Sequence, residues 1–354
     1  MHPILIIKTA ALGDVLRTTS ILPGLHEAHP ASDITWLVAQ GAEDLVRLQP
    51  LVDRVVKVDL DSPESLASVS ADLGRTKWEW IISLDEEENL CRLASTLTTE
   101  RLTGAQLARR DDGSECASYT PDSAGWFDMG LTSHHGKEEA DRLKRENSQS
   151  HANIFARMLG IAEGQPSLRI PGEAYQASQV WGARHGLDGS VTIIGVNTGA
   201  SGRWKTKGLD EERTIELIEF LHRELEGDVK FVLLGGPAEA ERNGRIMEAF
   251  TEGGGSDAIV LDAGTDNDQL TFAAFVSRCD LLITSDTLAM HMAIARSIPL
   301  VAFFAPTSAV EIDIYGLGEK VISTADDYCS YRPDADNSTI TVERLGRAAL
   351  RTLP

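Results

Sequence analysis

The chain has 354 residues, 42% apolar and 25% charged, a balance that fits a globular protein and, at this length, two domains rather than one core. Its formal charge of −21 excludes a nucleic-acid binder, which needs a basic footprint, and docking on an anionic bilayer by charge alone. The four cysteines (Cys91, Cys116, Cys279 and Cys329) show no C-x-x-C spacing and read as thiols of a reducing compartment.

Short apolar strands alternate with longer helical patterns, the signature of open parallel sheets covered on both faces. In the first half, strands are expected near 3–8, 33–38, 54–58, 80–84 and 100–103. Helices are expected near 14–28, 41–49, 63–75 and 87–98. The stretch 105–136 mixes Gly, Ser, Asp and His around Trp126 and reads as an irregular region, followed by one charged helix over about 138–160. Two prolines and two glycines interrupt both periodicities at 164–172, which reads as a linker and hinge. The alternation then restarts, with strands at 191–196, 229–234, 258–261, 280–284 and 299–304. Helices fall between them at 210–225, 238–250, 268–277 and 287–296, and a last one near 341–352 opens on Thr341. The expected organisation is an N-terminal Rossmann-like domain (1–163), a linker, a C-terminal Rossmann-like domain (173–340) and a final helix (341–354). Two such sheets in tandem leave a cleft at the carboxyl ends of their strands, where ligands of this architecture bind.

The N-terminus enters a strand directly, with no leader pattern, and no apolar run approaches the ~20 residues of a membrane span. The expectation is a cytoplasmic protein with at most peripheral membrane contact.

Two strand–turn–helix corners carry opposite charge. In the first, Ile4-Leu5-Ile6-Ile7 leads to Ala11-Leu12-Gly13-Asp14. Gly13 suits a sharp turn, Asp14 starts a helix, and Arg17 follows on the same side as an acceptor-side candidate. Asp14 reads either as a helix cap or as a general base that takes a proton from an acceptor hydroxyl. In the second, Val191–Val196 leads to Thr198, Gly199, Arg203, Lys205 and Lys207. A glycine-studded turn with three cations suits a phosphate, although solvated surface cations are the plain alternative. A Walker loop is excluded because Trp204 stands where its second glycine belongs, and the G-x-G-x-x-G dinucleotide pattern is absent.

Further on, Glu239 and Glu241 open a helix, either structurally or as acceptors for ribose hydroxyls. Ser285, Asp286 and Thr287 end a buried strand and suit a diphosphate or sugar hydroxyls. His291 lies one turn later among apolar residues and reads first as a satisfied core histidine. Asp85-Glu86-Glu87-Glu88 reads as an acid-rich helix start, and neither it nor His134-His135 has the partners of a metal site. No metal and no resident cofactor are expected.

Together, these stretches resemble the inverting heptosyltransferases that use ADP-heptose to build the lipopolysaccharide inner core. The similarity covers nearly the whole chain, through 4–14, 126–131, 140–147, 197–207, 234–241, 285–291 and 303–318. The resemblance implies the two-domain GT-B fold, with the two sheets facing a central cleft and the last helix crossing back to the first domain. It implies that Asp14 is the general base and that Lys207 holds the donor diphosphate, with Thr198 and Gly199 nearby. Glu239 would lie near the ribose, and Asp286, Thr287 and His291 beside the diphosphate and sugar. The chain departs from the family at Leu288, where glycine is common, and at Lys205, where many relatives have proline. A nucleotide sugar is then the co-substrate and a glycolipid or glycan the acceptor. The rival readings are a sugar-nucleotide epimerase and a non-catalytic nucleotide-sugar-binding protein on the same plan.

Overall fold

The computed structural model describes residues 2–110, 112–130, 133, 135–187, 189–199, 205–253 and 259–353, with the backbone but not the side chain of residue 205. The chain divides into two compact units, Met1–Arg169 and Ile170–Pro354.

In the first unit, β1 (His2–Ile7), α1 (Leu12–Thr18), α2 (Ile21–Ala28), β2 (Ser32–Ala39), β3 (Arg54–Val58), α3 (Pro63–Leu73) and β4 (Trp78–Ser83) follow in order. They are succeeded by α4 (Glu88–Thr96), β5 (Thr99–Arg109), β6 (Glu115–Tyr119), α5 (Ala124–Phe127), α6 (Lys137–Glu146) and α7 (His151–Leu159). Among the described residues the strands form one sheet in the order β3-β2-β1-β4-β5-β6. It is parallel except for the β5–β6 hairpin. β1 and β4 lie side by side, Leu5 opposite Ile81, and Leu5, Ile6, Ile7, Ile81 and Ile82 are completely buried. Such strands read as unbroken apolar runs because both faces are covered.

Several sequence-based boundaries are corrected. The helix expected at 14–28 is two, because Thr19 turns its hydroxyl back onto Leu16 O at 2.7 Å and the amides of Thr19 and Ser20 reach back three residues. The helix expected at 41–49 is only a 3-10 turn at Glu43–Leu45. The one expected at 138–160 breaks into α6 and α7, where Asn147 Oδ1 accepts the Gln149 amide and Ser150 caps α7 through the Asn153 amide. The irregular stretch expected at 105–136 contains the far half of β5, β6 and α5. Gly104, at φ +115°, lets β5 approach β4 so closely that a Cβ there would meet Ser83 O at 1.8 Å.

The second unit opens with α8 (Gly172–Arg184), followed by β7 (Thr192–Asn197), α9 (Glu211–Glu224), β8 (Val229–Leu234), α10 (Ala240–Glu252) and β9 (Val260–Asp262). α11 (Gln269–Val276), β10 (Leu281–Ser285), α12 (Leu288–Ala295), β11 (Leu300–Phe304), β12 (Gly318–Ile322) and α13 (Val342–Thr352) complete it. The sheet order is β12-β11-β10-β7-β8-β9, parallel throughout. α8 and β12 are not visible in the sequence reading.

α13 buries Leu345, Ala348 and Ala349 in the second core with Leu217, Leu221 and Val321. A Cβ on Gly346 would meet the Phe220 ring at 2.4 Å. The apolar stripe of this helix is used on its own unit. Among the described residues no helix is long and apolar enough to cross a membrane.

Candidate functional site

In a doubly wound sheet, ligands sit at the carboxyl ends of the two strands where the strand order reverses. In the first unit the chain runs outward from β1 to β3 and returns at β4, so the reversal lies between β1 and β4. In the second unit it lies between β7 and β10. The segments after these four strands begin at Lys8, Leu84, Thr198 and Asp286.

At the first reversal, Ala11 is the N-cap of α1 and its carbonyl accepts the Val15 amide at 2.9 Å. The N-cap position itself is Ala11, and Asp14 is the third residue of the helix. Its carboxylate sits in the first turn, which the helix dipole favours, with 40% of the side chain exposed. Arg17 Nη2 lies 3.1 Å from Asp14 Oδ1, and its guanidinium packs over the Trp126 ring, 5.6 Å from the centroid. Gly13 lies within this first helical turn and is not a positive-φ residue, so the sharp bend is made upstream at 8–11, contrary to expectation.

That bend is held by a pair the sequence reading missed. The ammonium of Lys8 donates to the Asp85 carboxylate and to the Ala10 carbonyl, and the other Asp85 oxygen accepts the Thr9 amide and, at 2.7 Å, the Thr9 hydroxyl. Asp85 is therefore no part of a helix-start acid cluster: α4 begins three residues later and Asp85 is buried. Burial would push the Lys8 ammonium down, but the charges of Asp85 and then Asp14 outweigh it and hold its pKa above the ordinary value. Burial and the neighbouring Asp85 charge raise the pKa of Glu87.

Beside Trp126, a cavity of about 560 Å³ is lined by Asp122, Asp128, Glu146, Gln149 and Arg157 among others. Arg157 donates to Gln149 Oε1 at 2.5 Å, and His135 Nε2 stands 3.2 Å from Asp128 Oδ1.

At the second reversal, Asn197 ends β7 and its amide donates at 3.1 Å to Gly199 O, Thr284 Oγ1 and Thr287 Oγ1, tying the two strand ends together. Lys207, in a 3-10 turn at Lys205–Lys207, donates to Asp286 O at 3.0 Å and to its carboxylate at 3.3 Å. Asn337 fixes that turn by donating to Thr206 O and Gly208 O. His291 is 5% exposed, as a core histidine would be, yet its Nε2 stands 3.7 Å from Asp286 Oδ1. Burial would raise the Asp286 pKa; the Lys207 ammonium, helped by the His291 imidazole, instead holds it far below the usual carboxylate range. The hydroxyl of Ser285 is buried with no hydrogen-bond partner among the described residues, and the Thr307 side chain stands against the Asp286 carboxylate.

Thr198 and Glu239 form the other side of this corner. Thr198 donates its hydroxyl to Asn243 Oδ1 at 2.6 Å and to Leu234 O at 3.2 Å. Glu239 accepts the Gly236 amide at 2.9 Å, and a Cβ on Gly199 would meet its carboxylate at 3.1 Å. Glu241 points to solvent, 94% exposed. The structure thus brings together Thr198, Gly199 and Glu239 on one side and Lys207, Asp286, Thr287 and His291 on the other, joined by Asn197. Arg203 lies outside the described residues, as do the Lys205 side chain and His134. Asn197, Asn243 and Asn337 were not anticipated as organisers, since an asparagine carries no distinctive pattern in one sequence.

Two doubly wound α/β units in tandem, each with polar groups gathered at its strand-order reversal, follow the plan of the GT-B fold. Residues 99–339 match the model of glycosyltransferase family 9 (heptosyltransferase), and the chain belongs to that family. Its fold is similar to the glycosyl transferase family 9 from Veillonella parvula DSM 2008 (TM-score 0.76, 21% identity, 99% of this chain and 97% of that one). It is also similar to E. coli ADP-heptose lps heptosyltransferase II (TM-score 0.66, 18% identity, 100% and 98% covered) and to E. coli heptosyltransferase WaaC with ADP (0.60, 16%, 99% and 99%). At these identities the likeness establishes the fold. No curated protein sequence matches the chain.

Proposed function

We propose that this glycosyltransferase is inverting and metal-independent and moves a heptose from a nucleoside-diphosphate sugar, ADP-heptose, to a hydroxyl of a lipopolysaccharide-core or related glycan acceptor. Asp14 takes the proton of the acceptor hydroxyl as that oxygen attacks the anomeric carbon. The bond from the anomeric carbon to the diphosphate oxygen breaks on the opposite face, so the configuration inverts. Lys207, with Arg203, Lys205 and the amides after Ser285, offsets the charge that grows on the leaving diphosphate. Glu239 takes the ribose hydroxyls, and Asp286, Thr287 and His291 order the diphosphate end. The acceptor sits in the cavity beside Trp126, whose indole face suits a sugar ring and whose carboxylates suit hydroxyls. The reaction takes place in the cytoplasm, at the inner face of the inner membrane when the acceptor is lipid-borne.

The observation that carries this reading is the second reversal. A lysine ammonium, a histidine and a buried, unpartnered hydroxyl (Ser285) lie at the strand ends where a phosphate-bearing ligand of such a sheet binds. The test is transfer from ADP-heptose together with calorimetric binding of ADP, UDP and GDP. ADP is expected to bind most tightly. Asp14→Ala is expected to abolish transfer while leaving ADP affinity unchanged, because the base acts on the acceptor. Near-normal transfer by Asp14→Ala would overturn the mechanism.

A further inference from the structure

Nothing in the packing of the first unit calls for a charge pair beneath the Asp14 corner. A buried ion pair is on balance about neutral against apolar side chains of the same volume, since desolvation consumes most of what the attraction returns. Lys8 and Asp85 are nevertheless 9% and 4% exposed, and the hydrogen bonds identified for their side chains all hold the turn that leads to Asp14. Residues 8–10 are clamped to the segment after β4, and the next residue, Ala11, is the N-cap of α1. The Trp36 indole fixes the same segment from β2 by donating to Lys8 O at 3.0 Å. The helix that presents Asp14 therefore takes its origin from the Lys8–Asp85 contact.

We propose that Lys8 is a positioning residue for glycosyl transfer: held by Asp85, its ammonium fixes the turn carrying Asp14 and keeps that carboxylate ionised until the acceptor hydroxyl gives up its proton. The proposal rests on the reading of Asp14 as the general base. Among the described residues, the charged groups identified beside Asp14 are Lys8 from the end of β1 and Arg17 from its own helix, with Asp85 and Glu87 beside Lys8 in the segment after β4. Lys8 and Arg17 favour the ionised form of Asp14, and Asp85 acts against them by pairing with Lys8.

The test uses two variants of opposite electrostatic sense. Lys8→Met removes the cation and is expected to move the acidic limb of the kcat/KM profile upward by about one pH unit. Asp85→Asn removes the anion and is expected to move it downward. A role confined to packing gives no such opposition. The neutral double variant Lys8→Met/Asp85→Asn leaves no unpaired buried charge and serves where a single variant fails to fold. It is expected to transfer about tenfold more slowly or worse, with ADP affinity unchanged. A second arm needs no transfer. In Asp14→Cys, the rate of alkylation of that cysteine by iodoacetamide, followed against pH by peptide mass spectrometry, reports the local potential. Adding Lys8→Met is expected to raise the thiol pKa and adding Asp85→Asn to lower it. Shifts of the same sign, no shift, or wild-type transfer by the folded double variant would each overturn the proposal. Failure of the transferase reading itself shows differently, as a wild-type chain with no transfer from any donor while the cysteine still responds.

Discussion

Lys207→Met separates what the ammonium does for the fold from what it does for the reaction. Lys207 and Asp286 are 16% and 17% exposed, with the ammonium on the Asp286 carbonyl at 3.0 Å and on its carboxylate at 3.3 Å. Methionine leaves that carboxylate facing His291, at 3.7 Å, and the Thr307 side chain, with no cation in contact among the partners identified for it unless the imidazole is charged. Stripping one partner from a buried pair costs about 3–5 kcal/mol. The lower end applies here, because the imidazole and the Thr307 side chain stay beside the carboxylate and both members of the pair keep some solvent. The rate effect is of the same size: losing one preorganised donor to developing charge costs on the order of 10²–10³ in turnover, about 2.7–4 kcal/mol. A single variant therefore confounds the two. Lys207→Met/Asp286→Asn removes both charges and leaves no lone buried carboxylate. Its urea midpoint is expected to return close to that of the wild type while turnover with saturating donor, read as nucleoside diphosphate released, stays about 10²-fold down. Recovery of turnover together with stability would show that Lys207 only holds Asp286, and the electrostatic role would be refuted.

Two further outcomes follow from the same geometry. The folded pKa of Asp286 is depressed, so its contribution to stability is fully present above the unfolded value and is lost as pH falls through the folded one. The stability gap between wild type and Asp286→Asn, measured by urea unfolding, is expected to be wide at pH 6 and to close progressively below about pH 4; a gap independent of pH contradicts the assignment. Gly125 lines the cavity beside Trp126, and nothing lies within 4 Å of the position a Cβ would take. Gly125→Leu therefore fills the cavity without strain and is expected to raise the acceptor KM about tenfold, leaving ADP affinity and kcat at saturation unchanged. An unaltered acceptor KM would place the acceptor elsewhere.

The legible parts of the fold are those whose signal is local. β1, β4, β7 and β10 are central strands, buried on both faces, and appear as uninterrupted apolar runs. β12 is an edge strand, half-buried, and Gly318, Glu319 and Lys320 hide it. α8 packs through Ala174, Ser178 and Gly182, small residues that leave no apolar stripe to detect. The breaks at 19–20 and 147–150 are invisible to periodicity because hydrophobic residues resume in phase after each polar interruption, and only the hydrogen bonds of Thr19, Asn147 and Ser150 interrupt the helices.

The site follows the same rule. The groups at the second reversal lie in two short runs, 197–207 and 285–291, and each run advertises itself. Lys8 and Asp85 are 77 residues apart. Singly, one is a lysine after a strand and the other an acid before a helix, two of the commonest surface patterns. What joins them is strand order: β1 and β4 are parallel neighbours with Ile7 opposite Ser83, so the residues that leave them are forced together. Once the sheet is known to reverse between these strands, a buried cation–carboxylate pair there is exceptional, because no other position in the first sheet is so close to where its ligand belongs. The information was in the sequence throughout, but only in the pairing of two strands that no local pattern specifies.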